Sequence, residues 1–231
     1  MKYIFSLVIF LVFSLNVSAQ NSEIFTDFGI GLLSHQPLKT FHEDLSEQLT
    51  IEGFETTDNY GINYGFSIGF KINSIKTSFF FQNKVAGAKS SVADFSGYIR
   101  LTDELRGYTF GGIYEFDIQQ FKKGSLSFGV KGLITSSKLI VKSESNIANS
   151  FDNDVLNFRS IDFGSGAIMI YRYPLKVITL RATLGADFYI GGKLKFEDMK
   201  EAHLLDSDGN KVTTGWSGLN LGIGIAIPLA N

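Results

Sequence analysis

The 231-residue chain has no cysteine and three prolines. Without thiols it has no disulfide framework, so in an oxidising compartment it must be held by its core or by a closed sheet. With few prolines, long stretches of backbone are free to donate into a hydrogen-bonded ladder. Beyond the first twenty residues there is no apolar run approaching the roughly 20 residues that a membrane helix needs. Charge is also scarce, with 21 Lys and Arg against 23 Asp and Glu. Neither a nucleic-acid partner nor a strongly anionic surface follows from that balance. The three histidines, His35, His42 and His203, are scattered and form no metal-ligand spacing.

The amino-terminal segment has the order of an export signal. Met1-Lys2-Tyr3 supplies a basic start, residues 4–15 an apolar run, and Val17-Ser18-Ala19 a small-residue cleavage pattern before Gln20. The reading is a leader over residues 1–19 and one domain over residues 20–231. Lys2 is the leader's one charge, so the mature balance is 20 basic against 23 acidic residues, a net of -3.

What the chain has in quantity is glycine, 24 residues, and phenylalanine, 22. The two are interleaved with a period of two. Ile62, Tyr64, Phe66, Ile68, Phe70 and Ile72 fall on one face of a strand, and Gly61, Asn63, Gly65, Ser67, Gly69 and Lys71 on the other. The second face is built of small polar residues rather than the Lys, Glu and Thr of a solvated strand. The apolar face is therefore expected to meet lipid and the small face to look inward.

Seven further segments alternate in the same way: residues 25–34, 75–85, 108–117, 125–135, 161–172, 178–191 and 219–227. Phe80, Ile168 and Ile170 break the pattern by falling on the polar face. Connections after alternate strands are short, whereas residues 34–59, 86–105, 143–157 and 196–213 read as long polar loops. Tight turns at one end and large loops at the other are the mark of a membrane barrel. The fold predicted is all-β, an eight-stranded antiparallel up-and-down transmembrane β-barrel.

Asn220-Leu221-Gly222-Ile223-Gly224-Ile225-Ala226-Ile227 carries a further likeness. It resembles the last-strand signal of small eight-stranded outer-membrane barrels of the OmpA and OmpX kind, particularly those of Bacteroidota. That resemblance implies a cell outer membrane location and recognition of Asn220, Gly222, Ile225 and Ile227 by the barrel assembly machinery. The chain departs from the pattern by ending in Pro228-Leu229-Ala230-Asn231 rather than on a terminal Phe.

Asp27, Lys71, Glu115, Asp117, Lys131, Asp162, Arg172, Arg181 and Asp187 all fall on the face assigned to the lumen. An eight-stranded barrel is about wide enough for its own side chains, so these charges are expected to pair across it. Ser34, His35, Glu43 and Asp44 supply the residue types of a hydrolytic triad in one loop, but their spacing matches no nucleophile motif. Asp206-Ser207-Asp208-Gly209-Asn210 reads as an Asp-Gly turn rather than a calcium loop, because its glycine is misplaced and Ser217 stands where the terminal acid belongs. In loop one, Leu38, Phe41, Leu45 and Leu49 recur at helical spacing, which predicts a short amphipathic helix over residues 37–49.

The function expected is that of a non-enzymatic structural or interaction barrel acting through its surface loops, with no cofactor and no metal. Its partners are outer-membrane lipid, the assembly machinery during biogenesis and a protein met through the loops. The alternatives are an accessory subunit of an envelope secretion or assembly complex, and a narrow, porin-like channel.

Overall fold

The computed structural model describes residues 22–229 except 33, 50, 149 and 200. The leader read over residues 1–19 lies outside the described residues. The elements are β1 (Ser22–Leu32), helix α1 (Gln36–Gln48), β2 (Glu55–Asn59), β3 (Asn63–Ile72), β4 (Thr77–Asp94), β5 (Gly97–Phe121), β6 (Gly124–Ile147), β7 (Ser150–Pro174), β8 (Thr179–Gly191), β9 (Lys195–Phe196) and β10 (Gly218–Leu229).

Eight strands form a ring in the order β1-β3-β4-β5-β6-β7-β8-β10, and β10 pairs back onto β1 from Ser22↔Leu229 to Leu32↔Leu219. Every neighbour is antiparallel. Closure leaves no free edge, which is the condition for a sheet to cross a bilayer with its backbone groups satisfied. β2 and β9 are additions outside the ring, on β4 and β7.

All eight strands read from the alternation are present, but two expected loops are not loops. Residues 86–105 and 143–157 continue β4 into β5 and β6 into β7, which reach 18, 25, 24 and 25 residues. A bilayer crossing takes about 9–11 residues per strand. The excess rises as a wall above one rim.

The side-chain phase does not change along that wall, but the chemistry of its two faces does. In β5 every buried residue between Leu101 and Glu115 is odd-numbered. At the lower end the odd, inward positions include Thr109 and Glu115, and the even ones, Tyr108, Phe110, Tyr114 and Phe116, are 43–59% exposed. Past Gly107 the inward positions become Leu105, Asp103 and Leu101, all buried, with the leucines in the apolar cluster, and the outward ones Arg106, Glu104 and Arg100. β6 repeats the exchange: Lys131 and Thr135 inward below, Leu139 and Val141 inward above. An apolar exterior around a polar interior suits a bilayer, and the opposite arrangement suits water. The level of the exchange marks the boundary between the two media.

Two apolar clusters follow. Within the ring, Phe25, Phe80, Ile113, Leu133 and Ala226 pack with Ile168. Phe80 and Ile168, together with the buried Ile170, thus broke the alternation because they fill the lumen. Phe25 lies against Gly69 and Phe80 against Gly111, where a Cβ would collide with the ring of each. The larger cluster lies above, where Leu38 of α1 joins Tyr60, Leu101, Leu105, Leu139, Phe158, Leu194, Val212 and Trp216. The helix falls where loop one predicted it and closes the mouth.

Ile68 and Leu184 are 48% and 49% exposed at mid-strand, whereas Ser67 is buried in the lumen. Ile68→Lys or Leu184→Lys is expected to destabilise the inserted barrel by about 2–4 kcal/mol if near the bilayer midplane. Denaturant titration in liposomes measures that loss. A bilayer-restricted quencher should reach labels at single cysteines 68 and 184 and miss those at 67 and 183.

Candidate functional site

The lumen is closed near the turn end by an ionic cluster. Glu115 accepts from Nη2 of Arg172 at 2.9 and 2.7 Å, from Nζ of Lys71 at 2.9 Å and from Ser78 Oγ at 3.0 Å. Arg181 donates to both carboxylate oxygens of Asp27, at 3.0 and 3.2 Å, with its guanidinium 4.0 Å from the centre of the Phe25 ring. Glu23 lies between them, 3.5 Å from Arg172 and 3.9 Å from Arg181, and links the two groups. Higher up, Lys131 pairs with Asp187, which also accepts from Asn220 Nδ2 at 2.9 Å. Charges buried this way are tolerated because each finds opposite charge and donors. Deleting one partner of such a pair typically costs about 3–5 kcal/mol.

Asp162 and Asp117 depart from the expectation of paired lumenal charges. Asp162 accepts from Thr214 Oγ1 at 2.6 Å and from Ser137 and Ser160 at 3.3 Å, a hydroxyl nest beneath the cap rather than an ion pair. Asp117 is not in the lumen. It keeps its place in the ladder opposite Ser127, the register shift coming after it at Ile118, but it stands at the turn-end rim, where its carboxylate meets Lys76 at 2.8 Å, both about half exposed. Glu23 was missed, although it shares the odd, inward parity of Asp27, because it precedes the first clear alternation. Between plug and cap the lumen holds a cavity of about 70 Å³, lined in part by Asp27, Ser67, Arg181, Thr183 and Asp187.

The cap is fastened by a polar network that the sequence spacing did not reveal. Leu38, His42 and Ser46 recur every four residues on α1 and so share a face. Leu38 enters the apolar cluster, and His42, fully buried, lies on the inner face of the paired β4 and β5. Its Nδ1 lies 2.8 Å from Asp103 Oδ2 and its Nε2 2.8 Å from Ser90 Oγ. Tyr60 donates its hydroxyl to the same oxygen of Asp103 at 3.2 Å. With Nδ1–H donating to the carboxylate, Nε2 accepts from the serine, the atom order of a Ser-His-Asp triad.

The surroundings of Ser90 decide what that order does. Ser90 is fully buried, and its Oγ also meets Ser46 Oγ at 3.1 Å and Thr56 Oγ1 at 2.8 Å, where an electrophilic carbon must approach. The network works as a latch that pins α1 and β2 to the wall. Ser34, His35, Glu43 and Asp44, the trio types expected in loop one, are not brought together. Ser34 accepts from Asn63, Glu43 from Asn59 and Asp44 from Ser207, and His35 turns toward Thr214. In the last loop, Asp206 accepts from the backbone N–H of Asp208 and of Asn210 ahead of Gly209 at φ 81°, the Asp-Gly turn that was read there.

His35 makes a second fastening. Its backbone N–H donates to Gly215 O at 2.6 Å and its Nδ1–H to Thr214 O at 2.5 Å, with the ring edge-on to Trp216 at 4.5 Å. At φ 65° the residue is left-handed, a conformation held by these bonds. Burial lowers its pKa from 6.5 to about 4, against a smaller raising effect of the Thr214 bond.

Replacing His42 by Ala removes one hydrogen-bond partner each from the buried Asp103 and Ser90, at a cost of about 1–3 kcal/mol. Limited proteolysis should then cut within residues 34–60 while the barrel stays intact. His35 predicts a pH dependence of the same region. It is neutral when folded and binds a proton near pH 6.5 when the cap opens, so its contribution, about 3 kcal/mol at most, is complete above pH 6.5 and is lost as pH falls toward 4. Hydrogen exchange of α1 and residues 212–216 should accelerate across that window, and less so in His35→Phe.

No protein-family model matches the chain, and neither does any curated protein. Among solved structures, the crystal structure of Neisserial surface protein A (NspA) is similar to 90% of this chain over 97% of its own, at 12% identity and a TM-score of 0.36.

Proposed function

We propose that the protein is an integral outer-membrane barrel of a Gram-negative envelope, non-enzymatic and non-conducting, whose task is performed by the cap and surface loops it holds above the membrane. The exchange of polar and apolar faces along β5 and β6 carries this reading, because a soluble barrel has no reason to turn Tyr108, Phe110, Tyr114 and Phe116 outward on one half of a strand and Arg106, Glu104 and Arg100 on the other. Export through the leader over residues 1–19 and recognition of Asn220, Gly222, Ile225 and Ile227 by the assembly machinery belong to the same proposal. β10 closes the ring, so a signal there reports the strand whose pairing with β1 completes the fold. The enclosure of Ser90 supports a non-enzymatic role, and the paired lumenal charges support a sealed one.

A second reading, an accessory subunit of a larger envelope complex, is favoured by the β6–β7 hairpin. There residues 150–156 of β7 are exposed on both faces and carry Phe151, Val155 and Leu156 at 62%, 44% and 49% exposure. A strand pair standing clear of its own cap with apolar side chains is suited to a protein partner.

The mature chain should fractionate with outer membranes and shift in gel mobility on heating. Purified protein in planar bilayers should give no sustained current. Recovery as a soluble periplasmic monomer ends the membrane reading, and stable ion-selective openings end the sealed one.

A further inference from the structure

Just above the lipid-facing belt, the outward surface carries cations set in register. Arg106 of β5 lies opposite Lys138 of β6, Lys138 opposite Arg159 of β7, and Arg159 opposite Lys195 of β9. Like charges directly opposed on a sheet face repel each other. Acids neutralise one end of this row: Glu104 holds Arg106, and Glu197 sits between Lys138, at 3.5 Å, and Arg159.

The other end has no such relief. Bridges Lys193↔Thr213, Lys195↔His203 and Leu205↔Lys211 set three short segments side by side. Leu194, Leu204 and Val212 point into the cap, and the alternation leaves Lys193, Lys195 and Lys211 outside. None of these three ammoniums has an acidic partner within ion-pair range among the described residues. Partial desolvation and the ammoniums of Lys211, Lys195 and Lys193 hold the pKa of His203 below its usual range.

The three lysines surround a cleft of about 840 Å³ whose wall also includes Ser136, Ser160 and Ile161. Below it the belt is unusually open. Ile161, Phe163, Phe188 and Ile190 are 61%, 60%, 74% and 83% exposed. Ammonium groups over an apolar wall at the boundary between two media match an amphiphile with an anionic phosphate head and acyl tails.

We propose that this cleft binds the phosphorylated headgroup of an outer-leaflet lipid, with Lys193, Lys195 and Lys211 donating to the phosphate and the acyl chains lying against Ile161, Phe163 and Ile190. The inference rests on the membrane-spanning reading above. Three ammoniums on short, bridged segments are held close together before the lipid arrives, so little ordering is lost on binding. Glu197, on the same wall, is engaged by Arg159 and Lys138 and does not occupy the lysines.

Native mass spectrometry of the mature chain in neutral-detergent micelles tests the site, read only on the heat-modifiable, folded species so that failure of the barrel itself is seen separately. The probe is a bisphosphorylated, acylated diglucosamine lipid beside its dephosphorylated counterpart. The wild type should retain the phosphorylated lipid at least about tenfold better. The triple variant Lys193→Gln, Lys195→Gln, Lys211→Gln should lose that preference while keeping its heat-modifiable mobility. Lys122→Gln with Lys123→Gln, in the turn at the opposite rim, should keep it. Equal retention of the two lipids, or an unchanged preference in the triple variant, overturns the proposal. Displacement by an equimolar amount of inorganic phosphate assigns the site to a free anion and overturns its assignment to lipid.

Discussion

A strand cannot change which of its side chains face inward without a bulge or a slip, because the pleat alternates them strictly. Between Leu101 and Glu115 in β5 there is neither, and β6 opposite it is equally regular. One unbroken ladder therefore has to serve two solvents. Below the boundary it places Thr109, Thr135 and Glu115 inside and Phe110 and Ile134 outside. Above it, the same parity places Leu105 and Leu139 inside and Arg106 and Lys138 outside. The upper apolar cluster, the sealed mouth and the basic row at the rim all follow from keeping the phase while exchanging the chemistry.

The two ends of the lumen are closed by different physics. At the turn end the closure is ionic: Arg172, Lys71 and Glu115 on one side, Arg181 and Asp27 on the other, joined through Glu23. Desolvating these groups is expensive, and the cost is offset because the ring is narrow enough to bring β3, β5, β7, β8 and β1 within bonding distance at once. At the loop end the closure is apolar and held by directional bonds. Leu38 and Trp216 supply the area, while His42 and His35 set where the helix and the last loop sit. A cap fastened by a few buried polar bonds opens as a local unit, so the upper part of the molecule is the place where motion can occur without loss of the barrel.

Much of this was legible in the chain. Ile62 to Ile72 and Leu180 to Ile190 alternate so cleanly that strand, outward face and lumenal face were readable from residue type alone, and helix α1 was readable from Leu38, Phe41 and Leu45. Residues 86–105 and 143–157 were misread as loops because the rule applied to them was the membrane rule. In residues 86–105 the apolar residues fall on the opposite parity, so the alternation looked lost where it had merely been inverted, whereas residues 150–156 show none because both their faces are exposed. Asp117 was misassigned for a different reason: it stays in the ladder opposite Ser127 but stands at the rim, where its carboxylate reaches Lys76 and water, and parity alone does not say how far along the lumen a residue lies.

The amino-acid sequence by itself determined the period, the number of crossings and which faces meet lipid, since these depend on side chains two residues apart and on the medium they prefer. The tertiary structure alone decided which distant groups meet. Ser90, His42 and Asp103 come from different elements, Lys211 joins Lys193 and Lys195 from another segment that must first be bridged to theirs, and Glu23 reaches Arg172 and Arg181 across the ring. The physical reason is that such groupings are set by closure of the barrel and by the register of strands far apart in the chain, and no local pattern of residues carries that distance.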